Sequence, residues 1–188
     1  MAFWFIFVFL TQAWSMPQTC QLDGNLIRTS HNLLKDAGGH FPLQCIKENV
    51  LIMFPSSAFE SNGTIEQETG VKMAIYETLR SLSLVLEDGD LPTKWDEKIM
   101  DDFQNIVYRQ VDSFSKCTMS SKPNDVDMNT DFSDRATALK SYFDKITSLL
   151  QEKSFSFCAW EIVRKELVRT LHFILDHRSD MLRWPRRL

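Results

Sequence analysis

Residues 158–175 read CAWEIVRKELVRTLHFIL, and their pattern is typical of an amphipathic helix. At about 100° per residue, one set of apolar side chains falls within a narrow arc and predicts a core-facing stripe. That stripe consists of Trp160, Val163, Leu167, Leu171 and Ile174. The other side carries a charged set with one apolar member: Glu161, Arg164, Lys165, Val168, Arg169 and His172. Most charged helix faces are merely solvated, so this pattern alone does not identify a binding surface.

The bulk composition is that of one ordinary domain. The chain has 188 residues, of which 44% are hydrophobic and 24% are charged, and this is enough to bury a substantial core. Its formal net charge of −4 gives no general basic field for nucleic acid. We therefore expect no nucleic-acid partner.

The first residues resemble a secretory leader. An unbroken apolar run covers residues 3–10, and small residues follow it at the spacing of a signal peptidase site, although no Lys or Arg precedes it. This predicts a signal peptide over residues 1–15, with cleavage after Thr19 as the alternative, and a helical domain over residues 16–188. No later apolar run approaches the roughly 18 residues that a membrane span needs. We expect a secreted, extracellular protein without membrane insertion.

Two further features fit an exported chain. The four cysteines, Cys20, Cys45, Cys117 and Cys158, include no CxxC spacing, so two disulfides are favoured over a zinc site. Four cysteines allow three pairings, and spacing alone does not choose among them. Residues 62–64 read Asn-Gly-Thr, which predicts glycosylation at Asn62 if the chain is secreted.

Apolar stripes at helical spacing predict four more helices before the one already described. They are expected over residues 21–35, from the capping box of Thr64 and Gln67 to Gly89, from Thr93 and Asp96 to Cys117, and from Ala136 to Leu150. Residues 40–60 are too apolar for disorder and predict a long connection, and the polar residues 118–131 predict a flexible linker. Long connections allow successive helices to run the same way. The expected fold is therefore an all-α, five-helix bundle of the long-chain cytokine type, up-up-down-down with a long first crossover.

Catalytic and metal motifs are missing from the sequence. It contains no GxSxG, HExxH, P-loop or GxGxxG pattern. His172 and Asp176 can share a helix face, but a metal site needs at least a third ligand. We expect no enzyme, no metal and no cofactor.

Several blocks of the sequence resemble the type I interferons. CAWEIVR, Cys158 to Arg164, is similar to the signature of the last helix of that family, and the similarity extends to blocks around Tyr142, Trp95 and Cys45. All four cysteines fall at matching positions, and the chain is most like a fish or other non-mammalian member. The resemblance implies the pairing Cys20–Cys117 and Cys45–Cys158.

The resemblance also implies a function. Type I interferons are secreted antiviral cytokines that bridge two different class II cytokine receptor chains, which activates Janus kinases and then antiviral gene transcription. We accordingly expect a two-chain cell-surface receptor as the partner of a monomeric protein. By position, contacts to the higher-affinity chain would come from Ile46, Asn49, Arg164, Lys165, Val168, Arg169 and His172. Contacts to the second chain would come from Tyr76, Glu77, Arg80, Ile99, Tyr108 and Lys140.

Two alternatives stay open. One is another long-chain helical cytokine, which the aligned tryptophans and cysteines disfavour. The other is a secreted helical lipid carrier, since an amphipathic bundle can open a cavity. The aromatic residues Trp95, Phe143 and Trp160 are expected to pack in the core under every alternative, because their spacing is that of the apolar stripes.

Overall fold

Five long helices form the framework of the protein. The computed structural model describes residues 20–87, 89–120 and 128–185, so the predicted signal peptide lies outside the described residues. The helices are α1 (Gly24–Gly38), α2 (Ile65–Glu87), α3 (Glu97–Ser120), α4 (Met128–Glu152) and α5 (Phe157–His177). Three short 3₁₀ helices accompany them: Leu43–Glu48, Ser56–Phe59 and Ser179–Met181. The described residues contain no strand beyond an isolated bridge between Asp23 and Arg183. The predicted all-α fold is confirmed.

Side-chain caps decide where most of these helices begin. Ser156 accepts a hydrogen bond from the N–H of Ala159 and so opens α5. The prediction that Thr93 opens α3 is wrong, because Asp96 is the capping residue and its carboxylate accepts from the N–H of Ile99 at 2.9 Å. In each case an orphan N–H of the first helical turn is satisfied by a side chain just before it.

Contacts at the helix ends fix the directions of the bundle. Three such contacts join Cys20 with Cys117, Gly24 with Arg183, and Gly89 with Phe155. The first two place the start of α1 beside the ends of α3 and α5, and the third places the end of α2 beside the start of α5. Hence α1 and α2 run one way while α3 and α5 run the other, which is the expected up-up-down-down order. α4 runs parallel to α2, since Gly70 and Arg135 pack together near the starts of these helices.

The core lies around α5. All five residues of its predicted apolar stripe are buried, and Trp160 meets the ring of Trp95 edge to face at 6.0 Å between centroids. Phe143 is buried as well. α4 joins α5 through the Tyr142 hydroxyl, which lies 3.0 Å from the Thr170 hydroxyl. The expectation that these aromatic residues serve packing is confirmed.

Residues 39–64 form the long first crossover. Cys45 is bonded to Cys158, with 5.2 Å between their Cα atoms, and Cys20 is bonded to Cys117, so the pairing is the one that the resemblance implies. The two bridges close loops of 97 and 113 residues, and in the chain-entropy model each stabilises the fold by about 4–5 kcal/mol at most. Phe54 and Phe59 anchor the rest of the crossover, because their rings stack on each other and both contact the ring of Phe173 on α5 at an angle.

The connection between α3 and α4 is shorter than predicted. The sequence predicts a linker over residues 118–131, whereas α3 continues to Ser120 and α4 already begins at Met128. Residues 121–127 lie outside the described part of the chain. The polar composition of the segment therefore gave no sign of the one helical turn at each end, because a terminal turn can form without an apolar stripe.

We predict that stability falls at alkaline pH through Tyr142. Burial raises the pKa of Tyr142 from 10.0 to about 12. The unfolded chain releases this proton at a lower pH than the folded protein does. The protonated Tyr142 hydroxyl therefore contributes about 2–3 kcal/mol to the free energy of unfolding below pH 10, and this contribution is lost as the pH rises toward 12. Urea unfolding at pH 9 and pH 11 would measure the loss. The variant Tyr142→Phe should show a smaller loss, and an identical pH dependence in both proteins would contradict the assignment.

Candidate functional site

Arg164 is a structural residue rather than part of an outer face. Its side chain is only 4% exposed. The guanidinium donates to the carbonyls of Lys35 at 2.9 Å and Gly39 at 3.0 Å, at the carboxyl end of α1. It also pairs with Glu161 at 2.6 Å. The prediction that Arg164 contacts a receptor from an exposed position is therefore wrong.

Glu161 is buried for the same reason. Its carboxylate accepts from the indole N–H of Trp95 as well as from Arg164, and none of its surface is exposed. The sequence predicts Glu161 on the solvated side of α5, and this is also wrong. The carboxyl end of α1 and Trp95, which lies just before α3, cover that side of the helix.

The remaining charged residues of α5 do reach the surface beside the crossover. Lys165 donates to the side-chain carbonyl of Asn49 at 2.5 Å and lies 5.8 Å from the centre of the Phe41 ring. Arg169 donates to the carbonyl of Ile52 at 2.7 Å. These contacts join two segments that are more than a hundred residues apart in the chain. The predicted pairing of α5 with the crossover in one surface is thus present for Lys165, Arg169 and Asn49.

His172 and Val168 border this group. His172 is exposed, lies 3.5 Å from Asp176, and has its ring 5.7 Å from that of His31 on α1. Val168 is half-buried and packs against the core, so only part of its side chain is accessible. We call the surface formed by Ile46, Asn49, Lys165, Val168, Arg169 and His172 the crossover surface.

The apolar edge of the crossover surface is larger than the sequence predicts. Ile46 is 55% exposed, and three further apolar residues of the same segment, Leu43, Leu51 and Met53, are exposed by about three quarters or more. Several exposed apolar residues within one short segment favour an interaction site. The apolar run 50–54 is the part of the sequence that could have indicated this edge. Such a run is typical of buried residues, but only Ile52 within it is buried.

The second predicted set divides between two places. Glu77, Arg80 and Lys140 line a groove of about 620 Å³ between α2 and α4, whose floor includes Leu139 and Phe143. The charges on its rim are paired within each helix, Arg80 with Glu77 at 2.9 Å and Lys140 with Asp144 at 2.6 Å. This charged rim is a poor match for a lipid, so the groove does not favour the carrier alternative.

The other three members of that set lie outside the groove lining. Tyr108 is 66% exposed on α3. Tyr76 is half-buried because its ring stacks on Phe114 of α3, with 5.0 Å between centroids, and Ile99 packs partly against the core. Of the six residues, the structure therefore brings only Glu77, Arg80 and Lys140 together.

Nothing in the described residues suggests a metal site or a membrane span. No group of three or more His, Cys, Asp or Glu side chains in residues 20–87, 89–120 and 128–185 is arranged to hold an ion. Within the same ranges, every helix is too short or too polar to cross a bilayer.

The fold and its clamped crossover define a long-chain helical cytokine. A family model described as the interferon alpha/beta domain matches residues 20–180. Human interferon alpha-7 is 28% identical over 170 residues, which cover 89% of this chain and 86% of that protein. Human interferon alpha-17 is 29% identical over 160 residues, covering 84% and 80%.

Solved structures agree with this match. Zebrafish interferon 2 superposes with a TM-score of 0.74 and 39% identity, covering 82% of this chain and 98% of that one. Zebrafish interferon 1 shares the fold, with a TM-score of 0.64 and 21% identity over 85% of this chain and 95% of that one. The chain belongs to the interferon alpha/beta family. It is an antiviral cytokine and not an enzyme, and its four cysteines in two disulfides fit a fish type I interferon.

We predict that Arg164→Ala destabilises the protein by about 3–5 kcal/mol, because it leaves the Glu161 carboxylate buried without its charged partner. Equilibrium denaturation with urea would measure the loss. Arg109→Ala is the matched control, since Arg109 is an exposed arginine on α3, and it should change the free energy of unfolding by less than about 0.5 kcal/mol. Equal, small effects of both substitutions would show that the buried pair does not stabilise the fold.

Proposed function

We propose that this cytokine bridges two different class II cytokine receptor chains, one through the crossover surface and one through α2, α3 and α4. Bringing the chains together would activate their associated Janus kinases and then the transcription of antiviral genes. The observation that carries the proposal is the crossover surface, where exposed apolar residues lie beside the cations of α5. The protein acts as a secreted monomer in this proposal.

The crossover surface has the composition of a small binding hot spot. Ile46 supplies exposed apolar area, while Lys165 and Arg169 supply a polar rim that is already held in place by the crossover. Rim cations fixed before binding cost less entropy to immobilise. We assign this surface to the higher-affinity receptor chain. Arg164 is not included, because it is buried.

The second receptor chain is assigned to the set on α2, α3 and α4. Tyr108 is its most exposed aromatic residue, and Lys140 and Arg80 lie at the rim of the α2–α4 groove. An exposed tyrosine is a common anchor in protein interfaces because it buries a large area with few rotatable bonds. Glu77, Tyr76 and Ile99 would contribute from partly buried positions.

Two processing steps belong to the same proposal. Residues 1–15 would be removed as a signal peptide on export. Asn62 would carry a glycan, and its exposed side chain lies just before α2, where its backbone N–H donates to Gln67 at 2.6 Å. Neither step changes the assignment of the two surfaces, because Asn62 is not a member of either.

The assignment predicts separable effects on the two receptor chains. Ile46→Ala should weaken binding to one soluble receptor ectodomain by about tenfold or more, and Tyr108→Ala should weaken binding to the other. Surface plasmon resonance with each ectodomain from the source species would measure both. Each variant should also reduce antiviral gene induction in receptor-bearing cells while the thermal melting temperature is kept.

Met119→Ala serves as the control, because Met119 is an apolar residue of α3 outside both sets and is more exposed than either Ile46 or Tyr108. It should leave both affinities unchanged. The proposal fails if Ile46→Ala and Tyr108→Ala weaken the same ectodomain, or if neither variant differs from the control.

A further inference from the structure

Glu166 is a buried acid directly beneath the crossover surface. Its side chain has no exposed area, although Lys165 directly precedes it and Arg169 follows one turn later on α5. Its carboxylate is 2.7 Å from the guanidinium of Arg169 and 3.3 Å from the ammonium of Lys165. A carboxylate in such a place is costly to desolvate unless cations compensate for its charge.

The compensation comes from these two cations. Neither carboxylate oxygen makes a hydrogen bond of ordinary geometry to the described part of the chain. The contacts with Arg169 and Lys165 are therefore the charge partners that the structure gives to this acid. Although both cations are partly exposed, their charged ends lie against the buried carboxylate of Glu166.

The same two cations hold the crossover at their other contacts. Arg169 donates to the carbonyl of Ile52, and Lys165 donates to the side chain of Asn49. Ile52 is the buried member of the segment that exposes Leu51 and Met53 on either side. A chain of contacts thus runs from the buried carboxylate through two cations to the apolar edge of the crossover surface.

We propose that Glu166 is a positioning residue, whose buried charge fixes Arg169 and Lys165 and through them the conformation of residues 49–53. The effect on receptor binding rests on the proposed function, whereas the effect on the crossover does not. Glu166 itself contacts no receptor in this proposal. It sets the geometry of the residues that do.

The test compares Glu166→Gln with Glu152→Gln. Glutamine keeps the shape of the buried side chain, removes its charge and replaces one acceptor oxygen with an NH2 donor. Glu152 is an exposed acid at the end of α4 that controls for the change in net charge. Hydrogen exchange of the Asn49 amide in the free protein reports on the crossover directly, because its N–H donates to the carbonyl of Ile46 at 3.2 Å. We expect exchange about tenfold faster in Glu166→Gln and unchanged exchange in Glu152→Gln.

A double-mutant cycle with Arg169→Ala separates positioning from general destabilisation. Because Glu166 acts through Arg169 as well as Lys165, Glu166→Gln should speed exchange less in the Arg169→Ala background than in the unsubstituted protein. Arg169→Ala also gives the answer if Glu166→Gln fails to fold, since it breaks the same contact from the surface side. Additive effects in the cycle, or unchanged exchange in either single variant, would overturn the proposal.

Receptor binding of the same proteins distinguishes this inference from the proposed function. Faster exchange together with weaker binding of Glu166→Gln supports both. Faster exchange with unchanged binding of both Glu166→Gln and Ile46→Ala supports the positioning role and contradicts the receptor assignment. A third outcome contradicts only the positioning role. In it, Ile46→Ala binds the receptor more weakly, whereas Glu166→Gln has the same exchange rate and the same affinity as Glu152→Gln.

Discussion

The buried pair of Glu161 and Arg164 is the constraint on which the rest of the structure depends. Arg164 donates to backbone carbonyls at the carboxyl end of α1, and Glu161 accepts from Trp95 at the start of α3. The last carbonyls of a helix lack partners within it and carry partial negative charge, so a guanidinium is well suited to bind them. One ion pair on α5 thereby holds the ends of two other helices.

This junction also sets the geometry of the crossover. The chain leaves α1 at the point where Arg164 binds it, and Cys45 is bonded to Cys158, which precedes Arg164 by less than two turns of α5. The disulfide therefore fixes the first part of the crossover to α5. The next part of the crossover is held by Lys165 and Arg169, which donate to Asn49 and to the carbonyl of Ile52. The crossover surface forms because a buried charge pair holds the first half of α5 in place, while Lys165 and Arg169 of the same helix reach the surface beside the crossover.

Much of the fold is predictable from local patterns. The core stripe of α5 and the apolar stripes of the other helices depend on neighbours within a few residues, and the structure confirms them. The start of α3 is shifted from Thr93 to Asp96, because both residues can cap a helix and local sequence does not choose between them. The disulfide pairing is different, because the three alternatives could be separated only through the resemblance to a family. Local periodicity contains no information on which distant cysteines meet.

The candidate site was harder to predict, because its burial is decided by distant segments. Arg164 lies only about 40° from Trp160 around the helix, at the edge of the core arc, and its partners on α1 are 125 to 130 residues away in sequence. Glu166 was not singled out for the same reason. A charged residue is usually exposed, and only the packing of α1, α4 and the crossover around α5 reverses that expectation here.

A double-mutant cycle on the buried pair tests the central claim most directly. The free energy of unfolding would be measured for Glu161→Gln, Arg164→Met and the double variant. If the pair holds the junction, each single variant leaves its buried partner without a counter-charge. The double variant should then lose less free energy of unfolding than the two single losses added together, by about 2 kcal/mol or more. Losses that add to within about 0.5 kcal/mol would contradict the account.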